Sequence, residues 1–194
     1  MLHTIQVVHC LKVITTIFIA TCAINTWAAT CFDDKKLLAI THPTNTLVYV
    51  WSPRMVLSAQ HAAAVQQQAL QQGLLFVAVH DAQVPQTEID AARSRMAAST
   101  NNSTMQRSAT SLQGSLALCA QALTQRDALR HFPTAFVVRN RRSYGYASVH
   151  RYPVVGAMPE AAWASSLAQR MADSTGFEPL AAAVVANTTA RHSQ

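Results

Sequence analysis

The stretch TLVYVWSPRMVLSAQHAAAVQQQALQQGLLFVAVH, Thr46 to His80, restricts the fold more than any other part of the sequence. Leu47 to Trp51 is an unbroken apolar run with the valine, tyrosine and tryptophan content of a buried strand. From Met55 the residues become strong helix formers, and Gly73 follows the last turn, where a helix C-cap is expected. Leu74 to His80 is a second apolar strand. Two buried strands joined by one helix make a βαβ unit of roughly 30 residues or a little more. Its strands must run parallel, with a right-handed crossover. Everything else in the chain has to be compatible with that unit.

With 194 residues the chain has room for one domain with a substantial core. After the βαβ unit, TEIDAARSRMA from Thr87 predicts a helix, STNNSTMQRSATS a polar loop, and LQGSLALCAQALTQRDALR one or two helices with Cys119 on an apolar face. Strand patterns return in TAFVVRN and YGYASVHRYPVV, separated by a turn at RRS. MPEAAWASSLAQRMA predicts a last helix with Pro159 and Glu160 in its first turn. Residues 175–194 show no firm period and read as a flexible tail.

The first residues follow a different logic. Lys12 precedes VITTIFIATCAINTWAA, with an apolar centre from Val13 to Ile24 and small residues at Ala28 and Ala29. This is a secretory signal pattern over residues 1–28, with an uncleaved membrane anchor as the alternative. A lipid-modified cysteine fits poorly, since threonine precedes both Cys22 and Cys31. Residues 29–45 form an N-terminal extension, and 46–174 the domain, with a helical insertion at about 82–131. Removal of the signal takes Cys10 and Cys22 with it and leaves Cys31 and Cys119, which in an oxidising compartment are expected to pair. Formal charge is +6, or +5 without Lys12, and the arginines are scattered apart from RNRRS, Arg139 to Ser143. That is no nucleic-acid footprint, and a solvated turn accounts for it.

Three segments carry a resemblance to a known family. VYVWSPRMVLS resembles, without a gap, the thioredoxin-like segment in which a strand, a tryptophan and three further residues lead into CxxC at a helix N-terminus. HFPTAFVV is similar to the segment in which a cis proline precedes a strand and faces that motif, and Gly156 sits where the family often has a glycine closing the hairpin. The resemblance covers Thr46 to Ala172 and implies an α/β, three-layer sandwich: a central mixed sheet built of the βαβ unit and a β-hairpin, with a terminal helix. Pro133 is then the expected cis residue.

Carried over by position, the nucleophilic cysteine falls on Met55, the resolving cysteine on Ser58 and the buried acid on Tyr49. Disulfide exchange needs a thiolate and a second thiol to resolve the mixed disulfide. Neither a thioether nor a serine hydroxyl supplies one. What the resemblance leaves is a peptide groove walled by Trp51, Pro53, Arg54, Met55, Val56 and Ser58, opposite Phe132, Pro133 and Thr134. In it Met55 is either a tolerant apolar contact or a filler of the space left by the cysteine, and Arg54 suits a carboxylate.

The expectation is a redox-inactive periplasmic protein that binds a polypeptide as an assembly factor or scaffold of an envelope machine. A shorter resemblance, WSPRM followed by a late proline-strand segment, is similar to pilin-assembly proteins of conjugative transfer. No cofactor, metal or nucleic acid is expected, and a membrane only if the N-terminal segment stays. One alternative is a thiol oxidoreductase working through Cys31 and Cys119. Another is a hydrolase using Ser58 and His61, for which no acid lies close in the sequence: Asp81 and Glu88 come later.

Overall fold

A computed structural model describes residues 31–41, 44–141 and 146–180. The expected signal peptide with Cys10 and Cys22, the tip of the basic turn at Arg142 and Ser143, and the tail from residue 181 lie outside the described residues. The compact unit of the chain begins at Phe32.

In chain order the elements are β1 (Cys31–Phe32), α1 (Asp34–Thr41), β2 (Thr46–Trp51), α2 (Val56–Gln60), α3 (Ala62–Gln71), β3 (Leu75–His80), α4 (Gln86–Ala97), α5 (Ser103–Ser111), β4 (Leu116–Leu118) and α6 (Gln121–Thr124). A 3-10 turn (Asp127–Arg130) leads to β5 (Thr134–Arg141), β6 (Tyr146–His150), β7 (Val154–Val155), α7 (Glu160–Ala172) and β8 (Phe177–Pro179). The sheet runs β1-β4-β3-β2-β5-β6-β8, with β7 beside β5. β2 is parallel to β3 and antiparallel to β5, and β5 and β6 form the antiparallel hairpin. This is the thioredoxin-like α/β arrangement.

All six residues of β2 are buried, and alternate side chains enter different cores. Leu47, Tyr49 and Trp51 pack with Ala62, Val65 and Trp163 under α3 and α7, whereas Val48 and Val50 pack with Leu37, Leu123 and Phe136 under α1 and α6. Such two-sided burial is what an internal strand of a three-layer sandwich requires. α3 ends at Gly73 (φ 69°), whose N–H donates to Leu70 O while Leu74 N–H reaches Ala69 O. That pair of bonds is a Schellman motif, and it turns the chain straight into β3.

Five readings of the sequence change. The helix expected from Met55 is broken at His61, because Ser108 of α5 inserts its hydroxyl into the ladder: Ser108 Oγ donates to Gln60 O at 2.7 Å and accepts from Ala63 N at 3.4 Å. Residues 103–111 are a helix and not a loop, started by Asn102, whose side chain accepts from Thr104 N and Met105 N at 3.1 Å. Leu116–Leu118 is a strand, so Cys119 follows a strand and sits on no helix face. Its N–H donates to Phe32 O at 2.9 Å.

Residues 177–179, expected to lie in the flexible tail, form a strand. β8 pairs with β6, and the Phe177 ring stands edge-on to His150 at 5.0 Å, so burying this ring recruits residues 177–179 into the sheet. Arg139 does not lie on a solvated turn: its guanidinium covers the Phe177 ring at 4.0 Å and donates to Met171 O. Beside it, His150 Nδ1 lies 3.1 Å from both the N–H and the carbonyl oxygen of Tyr152, and its Nε2 lies 3.2 Å from Asp173 Oδ2. The Thr175 hydroxyl and amide, with the Gly176 amide, hold the Asp173 carboxyl at about 2.

Cys31 and Cys119 are joined in a disulfide. The bond closes a long loop and constrains the unfolded chain more than the folded one. Cys31→Ser is therefore expected to lower the unfolding free energy by about 2–4 kcal/mol. Denaturant titration checks this, and reduced wild type should unfold at the same midpoint as the variant.

Candidate functional site

The register of β2 and β5 decides what meets at the site. Val50 pairs with Thr134, so the chain leaving β2 through Trp51 and Ser52 and the chain entering β5 through Phe132 and Pro133 emerge at the same end of the sheet. The Phe132–Pro133 peptide is cis. Thr134 also pairs with Val155, and Gly156 N–H donates to Pro133 O at 2.8 Å. One end of the sheet thus carries the loop before α2, the proline loop and the end of β7 side by side.

The residues expected to wall a groove divide into frame and surface. Trp51 is fully buried, with its Nε1–H 3.3 Å from Ser115 Oγ and its ring edge-on to His80. Thr134 is fully buried, its hydroxyl directed at His131 O and Ala128 O. Pro133 is buried, Pro53 is half-buried, and half-buried Phe132 packs toward the α1 and α6 core. Arg54, Met55 and Val56 are exposed. Met55 is 51% exposed, so it does not fill a vacant space in the core.

Ser58 is 0% exposed. Its Oγ accepts from Ser52 N at 3.0 Å and lies 2.8 Å from Ser52 O and 2.6 Å from Met55 O, which share its single proton. The hydroxyl thus ties the first turn of α2 back onto the end of β2. Tyr49 donates its hydroxyl to Ser58 O at 2.5 Å, and burial pushes its phenol far above the ordinary range. A serine sealed in this way cannot reach a substrate carbonyl, so the Ser58–His61 hydrolase has no geometry to work with.

Three surface residues were missed in the sequence. Leu57 is 55% exposed beside Met55 and Val56, giving three consecutive outward apolar side chains. The signal existed: a helix cannot point three successive residues at one core. Val155, partly exposed next to the proline loop, is brought there by pairing with Thr134. Glu88 of α4 holds Arg54 through both carboxylate oxygens at 3.3–3.4 Å, a contact across the insertion that no local pattern announces. Among the described residues no cluster of three or more His, Cys, Asp or Glu could hold a metal ion, and no helix is long and apolar enough to cross a membrane. Cys119 lies beyond β4, with β3 between that strand and β2.

No family model and no curated protein matches the chain. Among solved structures it is similar to a secreted disulfide oxidoreductase of Mycobacterium tuberculosis that is homologous to E. coli DsbE. The identity is 14%, over 68% of this chain and 85% of that one, with a TM-score of 0.40.

Ser58→Ala removes the tie between β2 and α2 and takes from the buried Ser52 N–H its acceptor, while Ser52 O keeps the Met55 N–H. A loss of about 1–3 kcal/mol in unfolding free energy is expected from denaturant titration. A second expectation concerns His80, buried behind Trp51, whose Nδ1 lies 3.2 Å from Asp81 O and whose Nε2 makes no hydrogen bond. Burial lowers its pKa; the Asp81 carbonyl opposes this and Arg93 adds to it. The unfolded imidazole takes a proton near pH 6.5 while the folded one stays neutral, so the contribution is present above about pH 6.5 and is lost as pH falls below it. His80→Phe should flatten that part of the stability profile.

Proposed function

We propose that the chain is an exported thioredoxin-like binding protein that holds a polypeptide segment at the β2 and proline-loop end of the sheet and performs no disulfide exchange there. The observation that carries this reading is the exposure of Met55, Val56 and Leu57 at the very place where the family keeps its reactive sulfurs. Three adjacent apolar side chains held toward water cost solvation and suit a partner. A methionine among them adapts to varied side chains. The thioether cannot form a thiolate, and buried Ser58 cannot resolve a mixed disulfide. Val155 extends the surface past the proline loop, and an extended segment lying across it would combine apolar contacts with backbone pairing.

The wider setting belongs to the same proposal. A signal pattern and a disulfide fit the periplasm, and a docking surface without exchange chemistry fits an assembly factor or scaffold of an envelope machine, with conjugative pilin assembly as the narrower case.

Photoreactive residues at Met55, Val56 and Val155 should crosslink a periplasmic polypeptide, while probes at Gln67 and Gln113 do not. Purified protein should give no turnover in a disulfide-reduction assay. Turnover that disappears in Cys31→Ser would replace this reading with an oxidoreductase working through Cys31 and Cys119.

A further inference from the structure

The chain has six methionines, five of them within the described residues, and their surroundings differ sharply. Met96 is core, 4% exposed, and Met105, Met158 and Met171 are half-buried against the same apolar cluster. Met55 alone among the described methionines stands in solvent, at 51% exposure. Only its backbone serves the fold: Met55 N–H donates to Ser52 O, and its carbonyl accepts from Ser58 N–H and Oγ. Oxidation of a methionine follows exposure, and in a core it disrupts packing because the sulfoxide is polar. At Met55 the same change would leave the packing untouched and alter only the surface between Arg54 and Val56.

We propose that Met55 is a modification site at which a peroxide-class oxidant forms the sulfoxide, converting the Met55–Val56–Leu57 patch from an apolar docking surface to a polar one. The step is a two-electron oxygen transfer. A sulfur lone pair attacks one peroxide oxygen, the O–O bond breaks, and the departing oxygen leaves as water after taking the proton of the transferred one. The reverse requires a dithiol acting through a sulfoxide reductase, with the oxygen lost as water and the two thiols oxidised to a disulfide. The site lies where a thioredoxin-like enzyme would carry its nucleophile, so the position remains an oxidisable sulfur with a different product. The switching role rests on the polypeptide-docking reading; the modification itself does not.

The test uses the purified mature chain and hydrogen peroxide, with reduced, alkylated and fluorescently labelled α-lactalbumin as the docking probe. Peptide mass spectrometry over a time course is expected to find oxygen on Met55 well before Met96, Met105, Met158 or Met171, with an unchanged melting curve. Probe affinity should then fall about tenfold or more, the scale of losing one apolar side chain from an interface. Met55→Leu, compared only with itself before and after peroxide, should show no such fall. Oxidation that begins at the other methionines, or spreads evenly, overturns the inference and leaves docking standing. Selective oxidation of Met55 with unchanged affinity overturns the switch. Absence of probe binding before any peroxide overturns the docking reading and the switch with it, while the mass spectra still decide the modification.

Discussion

The structure depends on β2 being buried along its whole length and on both faces. A strand in that position needs a hydrogen-bonded neighbour on each side, here β3 and β5, and two separate sets of apolar side chains to cover it. It also cannot carry a polar atom that water might satisfy. The Tyr49 hydroxyl and the Trp51 indole N–H both lie inside, and each reaches a partner beyond the strand: Ser58 O for one, Ser115 Oγ for the other. Where β2 ends, Ser58 meets both the N–H and the carbonyl of Ser52. A thiol at that point would be a weaker donor and acceptor than the hydroxyl. A serine at position 58 therefore does more for the frame than a cysteine could.

The insertion between β3 and β5 takes part in the same frame. Ser108 occupies the break between α2 and α3, Ser111 hydrogen-bonds Gln66, Ser115 satisfies Trp51, and Glu88 holds Arg54. The first three contacts are buried or half-buried and fix geometry. The Arg54–Glu88 pair is exposed and contributes little to stability, but it sets the direction of a charged side chain next to the apolar patch.

The βαβ unit, the hairpin and the last helix were legible because each has a long apolar pattern with a clear period. β4 was not: three residues, Leu116 to Leu118, are too few to separate a strand from a helix turn, and only pairing with β3 and β1 makes them one. α5 was hidden by its polarity, since the one side chain it fully buries is that of a serine, although Asn102 ahead of Ser103 and Thr104 was a readable cap. β8 was lost because its anchor, Phe177, pays off only against His150 and Arg139, both distant in sequence. At the site, the identity of every residue was visible, yet whether Met55 faces the core or water depends on the angle of a five-residue helix. That angle is fixed by Ser58 below it and Ser108 at its end, and a periodicity argument sees neither.

The hydroxyl of Ser108 also bears on modularity. An insertion of some fifty residues in a known fold invites the idea that it could be cut out to leave a minimal domain. Here the cut would strand Gln60 O, Ala63 N and the Trp51 indole N–H at one stroke. The helix α2 would then be free to close its break and swing the surface it carries. The stretch is a piece of scaffolding whose removal would re-aim the site, so this chain can gain material at its outer loops more easily than it can be reduced to a minimal domain.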